Sequence, residues 1–282
     1  MKKYDNILVC GLGMMGASLC KSIKKHQLTK KISGFDVNND TLKYASSKRI
    51  IDVAYNDIHN IDHPDLIILC TPLSSYLPII ERILKFIRKK TILTDIGSSK
   101  GSSHSMIIKK LSESKIEYIS SHPMVGSEKS GIRHSKTNMY ENKIVFIIDK
   151  KTAKKSTYSH INSFWLSVGA ETHSIDRTEH DELMAQTSHI SHLMAYIFME
   201  SLPQSVIDNN LSLLLGGGIK EHVRLSKSNP TMWTDIFMNN SKNIKKTVTS
   251  IQKNISHVST LIKQSDKKKL KNLLEKIQNK TL

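Results

Sequence analysis

The chain has 282 residues, 38% of them hydrophobic, enough to fill the core of one large or two ordinary domains. No run approaches the ~18 to 20 consecutive apolar residues of a membrane span, and "MKKYDNILVCGLG" opens on a strand-and-glycine pattern with no secretory h-region, so a cytoplasmic protein away from the membrane is expected. The formal net charge of +17 invites a nucleic-acid partner, but the lysines are spread over runs such as "KKHQLTKK" and "SDKKKLKN" that read as solvated helix faces; with only 6% aromatics, no nucleic-acid partner is expected.

In chain order, "NILVC", "KISGF", "DLIILC", "TILTDI", "IEYIS", "KIVFII" and "AETHSI" are strand-length runs alternating with helical stretches. They predict a Rossmann-type, parallel, doubly wound α/β sheet over residues 1–175. Cys10, Cys20 and Cys70 are odd in number and set in apolar surroundings, which suits reduced core thiols. After Ile175 only helix-period segments follow: "TEHDELMAQTSHISHLMAYIFMESL", "NLSLLLGGGIKEHVRLSKS", a long stretch from Asn229 to Gln264, and a lysine-rich tail. Residues 176–282 are therefore expected to form an all-helical domain. Its first helix is expected to start on a capping box, Asp176 capping the turn and Glu179 reaching back. There is no long linker, so the two halves should pack closely.

The first motif is Gly11-Leu12-Gly13-Met14-Met15-Gly16, a G-x-G-x-x-G between a strand and a helix. Two glycines there allow a tight turn and close approach of a pyrophosphate, the third lets helix and strand pack, and the helix N-terminus offers amide hydrogens to the anion. Asp36 ends the second strand, where an acidic residue binds ribose hydroxyls. "DVNND" carries no cation for a 2′-phosphate, so NAD is the expected cofactor. A glycine turn without a dinucleotide is the plainer alternative.

Ligands of open α/β sheets bind beyond the carboxyl ends of the strands, which nominates Thr71, Pro72, Asp95, Gly97, Ser98, Ser99 and Lys100. Each of these also suits an ordinary loop or cap. His122, in "SHPMVGSEKSG", is expected just past the end of the fifth strand, with Pro123 holding its backbone extended. An imidazole with a reference pKa near ~6.5 can take a proton from a substrate hydroxyl, so His122 is a candidate general base; a hydrogen-bonded structural histidine is the alternative. In "TSHISH", Ser188 and His192 share a helix face; His189 and His192 have metal-pair spacing but no third ligand, so no metal is expected.

Taken together, "GLGMMGASL", "TDIGSSKG", "SHPMVGSEKSG", "HDELMAQTSHISH" and "GGGIKEHVRLSKSNPTMWTDIF" resemble the prephenate and arogenate dehydrogenases of tyrosine biosynthesis, over essentially the whole chain. The resemblance implies NAD-dependent oxidative decarboxylation of a cyclohexadienyl substrate, prephenate or L-arogenate. It implies His122 as the acceptor of the ring-hydroxyl proton and Ser98 as its hydrogen-bonding partner. Ser188, His192, Gly217 and Arg224 become substrate contacts, the guanidinium of Arg224 holding a carboxylate. Two readings of Glu128 stand side by side, a sensor of the substrate's keto or amino group and a helix cap. A homodimer built on the helical half is implied as well. Trp233, Ile236 and Phe237 read as a core or dimer stripe. The family commonly has S-H-L-P-H where this chain has Ser188-His189-Ile190-Ser191-His192, so a proline kink is missing and a slight helix shift is expected. With no mutase-like or regulatory segment in the sequence, little tyrosine inhibition through a dedicated domain is expected. The rival readings are a 3-hydroxyacid-type dehydrogenase, which would need a lysine that "HDELMAQTSHISHLMAY" lacks, and a non-catalytic dinucleotide-binding protein.

Overall fold

The computed structural model describes residues 4–87, 89–126, 129–151, 153–205 and 216–280. Strands β1 (Tyr4–Cys10), β2 (Thr29–Phe35), β3 (Val53–Tyr55), β4 (Leu66–Leu69), β5 (Thr91–Asp95) and β6 (Ile116–Tyr118) form one sheet in the order β3-β2-β1-β4-β5-β6, every pair parallel. That order is the doubly wound dinucleotide-binding arrangement.

Period-two alternation sends neighbouring side chains to opposite faces. Ile7, Val9, Ile32, Leu66 and Ile68 pack under α1 (Met14–Lys25) and α2 (Asn39–Ser47). Leu8, Cys10, Phe35, Ile67 and Leu69 pack under α3 (Tyr76–Leu84) and α4 (Ser102–Leu111). These side chains are nearly all fully buried, each worth roughly 1.5–3 kcal/mol of transfer free energy. The cysteines are unbonded thiols; burial pushes Cys20 up to about 12 and raises Cys10 and Cys70 well above the ordinary thiol value, which keeps them protonated.

A single parallel sheet through residue 175 is not what forms. "KIVFII" and "AETHSI" become β8 (Ile144–Ile148) and β9 (Glu171–Ile175), parallel to each other across α5 (Lys155–Ser167), in a separate three-stranded sheet. Its third member is β7 (Ser121–Pro123), antiparallel to β8 with His122 opposite Phe146. His122 therefore lies within a strand, after the sixth strand of the parallel sheet, because Val53–Tyr55 is also a strand. Both overlooked strands are three residues long, too short to show a period, and β7 tolerates Pro123 because it is an edge.

The helical half opens with α6 (Arg177–Met184), a π-helical turn (Ala185–His189) and α7 (Ile190–Glu200), one continuous rod. Ser191 is helical, and the departure from regular α geometry falls on the turn before it. Asp176 makes no capping hydrogen bond: Asp149 takes the Arg177 N–H at 2.8 Å, while Asp176 faces Lys151. Then follow α8 (Gly217–Ser226), α9 (Pro230–Asn239), α10 (Ser241–Lys263) and α11 (Lys267–Lys280). Asn229 caps α9 by accepting the Met232 N–H, with Pro230 at the first helical position. The long helix expected from Asn229 onward is broken at Asn240, whose side chain donates to the Asp181 carbonyl.

The halves are joined by polar contacts at the strand ends. Asp235 accepts from the backbone and hydroxyl of Ser74, and Asn239 bonds Ser99 and the Ser103 N–H. A Cβ on Gly101 would lie 1.8 Å from the Asn239 carbonyl oxygen, so only glycine allows this approach. Among the described residues, no helix is long and apolar enough to cross a membrane.

Candidate active site

The β1–α1 turn shows three different uses of glycine. Gly11 has φ of +93°, a conformation only glycine takes readily. A Cβ on Gly16 would sit 1.9 Å from the Gly11 carbonyl oxygen, so Gly16 sets how closely the helix meets the turn. At Gly13, the residue preceding α1, an added Cβ meets nothing within 4 Å. That open space lies at a helix N-terminus with no side-chain cap and no acidic residue in its first turn, which suits a pyrophosphate.

Asp36 closes the same loop, accepting the Leu12 N–H at 2.8 Å and the Asn38 N–H at 2.9 Å. Thr71 and Pro72 follow β4 beside Gly11, and the Thr71 hydroxyl is buried without a partner among the described residues. All the expected cofactor residues, Gly11, Leu12, Gly13, Met14, Met15, Gly16, Asp36, Thr71 and Pro72, thus border one end of the parallel sheet. An open anion cradle, an acid at the ribose position and an orphaned hydroxyl together fit a dinucleotide.

Beyond β5 lies a buried ion pair. The Lys100 ammonium donates to Asp95 at 2.7 Å and to the Ser121 carbonyl at 2.8 Å, both side chains being 2% exposed or less. Burial opposes the charge on Asp95, but Lys100 and the hydroxyls of Ser120 and Tyr118 outweigh it and hold its pKa below the ordinary value. Ser121 is pinned from its other side by Thr94 and by the Trp165 indole N–H, each at 3.0 Å. These bonds fix the strand that carries His122.

His122 is 6% exposed. Its Nδ1 lies 2.8 Å from His180 Nε2, and His180 Nδ1 lies 2.9 Å from Asp181 Oδ1, which also accepts the Lys100 N–H. Burial, reinforced by His180, Lys100 and His189, holds the His122 pKa well below the usual histidine value. His122 is therefore neutral at neutral pH. Sequence reasoning expected a near-ordinary pKa because it did not see these neighbours.

Around it, Ser98 is half-buried after β5, and its backbone lies beside His189. The His189 ring is held through Nδ1 by Asn240, its buried Nε2 has no partner of hydrogen-bond geometry among the described residues, and burial lowers its pKa to about 4 against the opposing effect of Asp181 and the Ser98 backbone. It meets Trp233 edge-on at 6.1 Å, and His192 stacks on the same indole at 3.7 Å. His192 Nδ1 and Trp233 Nε1 are also buried without hydrogen-bond partners among the described residues. Burial lowers the His192 pKa, the Leu225 backbone counters it, and nearby Arg224 lowers it further. Arg224 is exposed and grips Glu221 through Nε and Nη2 at 2.8 and 2.6 Å.

Hydrogen bonds and ring contacts run from His122 through His180, Asp181, Asn240 and His189 to Trp233 and His192, with the Ser98 backbone beside His189 and Arg224 an electrostatic neighbour of His192. Ser188 is half-buried on the π-helical turn next to His189. Gly217 starts α8, exposed, and among the described residues nothing lies within 4 Å of an added Cβ. Glu128 lies outside the described residues. Sequence reasoning missed His180, Asp181 and Asn240, and weighed His189 only as half of a metal pair. The available signal was a polar pair among the buried positions His180, Asp181, Met184 and Ala185 of one helix face. It also took Trp233 for core or interface alone. Among the described residues, no group of three His, Cys, Asp or Glu could hold a metal ion.

Two family models divide the chain. "Prephenate dehydrogenase, nucleotide-binding domain" matches residues 19–174, and "Prephenate dehydrogenase, dimerization domain" matches residues 176–276. The prephenate dehydrogenase of Lactococcus lactis subsp. cremoris (strain MG1363) is 25% identical over 98% of this chain and 75% of its own. That of Bacillus subtilis (strain 168) is 27% identical over 94% and 72%. The crystal structure of prephenate dehydrogenase from A. aeolicus in complex with hydroxyphenyl propionate and NAD+ superposes with a TM-score of 0.88 at 28% identity, covering 98% of this chain and 97% of that one. The chain belongs to the prephenate dehydrogenase family.

Proposed function

We propose that the chain is an NAD-dependent prephenate dehydrogenase that converts prephenate to 4-hydroxyphenylpyruvate and CO2, and acts also or instead on L-arogenate to give tyrosine. The observation that carries this reading is a buried, neutral His122 fixed at the junction of the two halves, in a chain matched by both family models. The A. aeolicus relative holds NAD+ and a hydroxyphenyl compound, the ligand classes this reading requires.

Bound NAD+ supplies the hydride acceptor. His122 accepts the proton of the ring hydroxyl as that carbon becomes carbonyl-like, while the ring carboxylate leaves as CO2 and the ring becomes aromatic. Ser98 orients the same hydroxyl. Arg224 trades Glu221 for a substrate carboxylate, which a guanidinium fork holds bidentately. His192, Ser188 and the orphaned donors around Trp233 complete the wall, with Gly217 at its margin; Glu128 is kept as a candidate for sensing the keto or amino group of the substrate. Residues 1–175 bind the cofactor and 176–282 bind the substrate and pair two copies as a homodimer, acting in the cytoplasm.

The test is NADH absorbance with purified protein, supplying prephenate or L-arogenate in turn with NAD+ or NADP+. Turnover with NAD+ and one substrate is expected. Silence in all four mixtures, with NAD+ still bound, would contradict the proposal.

A further inference from the structure

His122, His180 and Asp181 are linked end to end by hydrogen bonds of 2.8 and 2.9 Å, and chemistry leaves only one way to place the protons. An ionised carboxylate accepts and cannot donate, so His180 Nδ1 carries its proton toward Asp181. A neutral imidazole has one N–H, so His180 Nε2 must then accept. His122 Nδ1 therefore donates to it, and the lone pair of His122 sits on Nε2. Among the described residues no hydrogen bond involves that Nε2. Asp181 is itself fixed: Oδ1 accepts the Lys100 N–H at 2.9 Å, and its carbonyl accepts from Asn240 at 2.7 Å. The three side chains are 6, 0 and 4% exposed.

We infer that His180 and Asp181 are positioning residues that dictate which nitrogen of His122 is basic and that receive the positive charge when His122 takes a proton. The path balances. The ring-hydroxyl proton bonds to His122 Nε2, the Nδ1 proton of His122 passes to His180 Nε2, and His180 becomes an imidazolium with its Nδ1–H still on the Asp181 carboxylate. His122 ends neutral, in the other tautomer. The surroundings favour this distribution: burial, His180, Lys100 and His189 all oppose charge on His122, whereas at His180 the Asp181 hydrogen bond counters burial. His122 comes from the sheet half and the other two from the helical half, so a competent base exists only where the halves are docked.

The proton path rests on the dehydrogenase reading; the tautomer does not, and the two can be tested apart. Two-bond proton–nitrogen NMR correlations of the histidine rings of the intact protein report the tautomer without substrate, and loss of signals in His122→Asn assigns them. The expected result is His122 protonated at Nδ1, with the Nε2–H form appearing in Asp181→Leu, which leaves His180 Nδ1 without the carboxylate that fixes its proton. Turnover with prephenate and NAD+ should then fall by roughly 10² with KM little changed. His180→Gln, which still offers an acceptor to His122 Nδ1, should keep the tautomer but lower kcat at least ~10-fold by breaking the path. Wild-type His122 in the Nε2–H form would overturn the inference. So would folded Asp181→Leu with unchanged tautomer and turnover; if that variant does not fold, normal kcat in His180→Gln overturns the proton path. The predicted tautomer in a protein that turns over no substrate pair would sustain the tautomer assignment and sink the dehydrogenase reading alone.

Discussion

The Lys100 ammonium lies 2.7 Å from the Asp95 carboxylate in a region that neither side chain leaves, since Lys100 and Asp95 are each 1% exposed. Removing one partner leaves the other charge buried and uncompensated, a loss of about 3–5 kcal/mol. Lys100→Met should therefore unfold at much lower denaturant than wild type, and Lys100→Met/Asp95→Asn should recover part of the loss. Equilibrium urea unfolding of the set measures this.

The glycine loop separates a packing role from a binding role. Gly16→Ala forces a Cβ to within 1.9 Å of the Gly11 carbonyl and should lower stability by about 1–3 kcal/mol or more. Gly13→Ala meets no protein atom and has ordinary negative φ, so it should keep its melting temperature while NAD+ affinity drops. Paired thermal melts and NAD+ titrations distinguish the two.

Arg224 is exposed and paired only three residues away with Glu221, an arrangement worth a few tenths of a kcal/mol to the fold. Arg224→Lys should leave stability intact yet raise KM for prephenate by on the order of 10-fold, because an ammonium cannot form the guanidinium fork. Steady-state kinetics beside a thermal melt checks both halves of the expectation.

His189 carries the clearest pH signature. Its pKa in the folded chain is about 4, against an ordinary value of 6.5, because it is buried. As pH falls below ~6.5 the unfolded chain takes up the proton first, so stability drops between about pH 6.5 and 4 and is unaffected above neutrality. His122 and His180 are displaced the same way. At about 1.4 kcal/mol per pKa unit, His189 alone is worth on the order of 3 kcal/mol at pH 4. His189→Asn should flatten part of that acid decline in melting temperature, measured from pH 7 to 4.

The parallel sheet was legible because its strands lie in apolar runs, "IEYIS" around the short edge strand Ile116–Tyr118 included; Val53–Tyr55 at the other edge was not. A three-residue strand shows no period, and nothing in the sequence tells the second sheet from the first. The glycine loop was legible because backbone geometry at Gly11 and close packing at Gly16 admit no other residue. His122 was legible by its place after a strand, but His180 and Asp181 lie 58 and 59 positions away and meet it only through docking of the halves. Periodicity read Trp233 as buried, and it is 6% exposed. It could not reveal that His192 stacks on the indole, since a period reports which face is covered and not by what.

The central claim is that neutral His122 accepts the substrate proton, and the most direct measurement is the pH dependence of kcat/KM for prephenate in wild type and His122→Asn. Wild type should lose activity only as pH falls below the usual histidine range, since burial depresses the His122 pKa. The variant should be slower by roughly 10² or more, without that acid limb and with NAD+ binding intact. Near-normal turnover in His122→Asn, or the same acid limb in both proteins, would contradict the account.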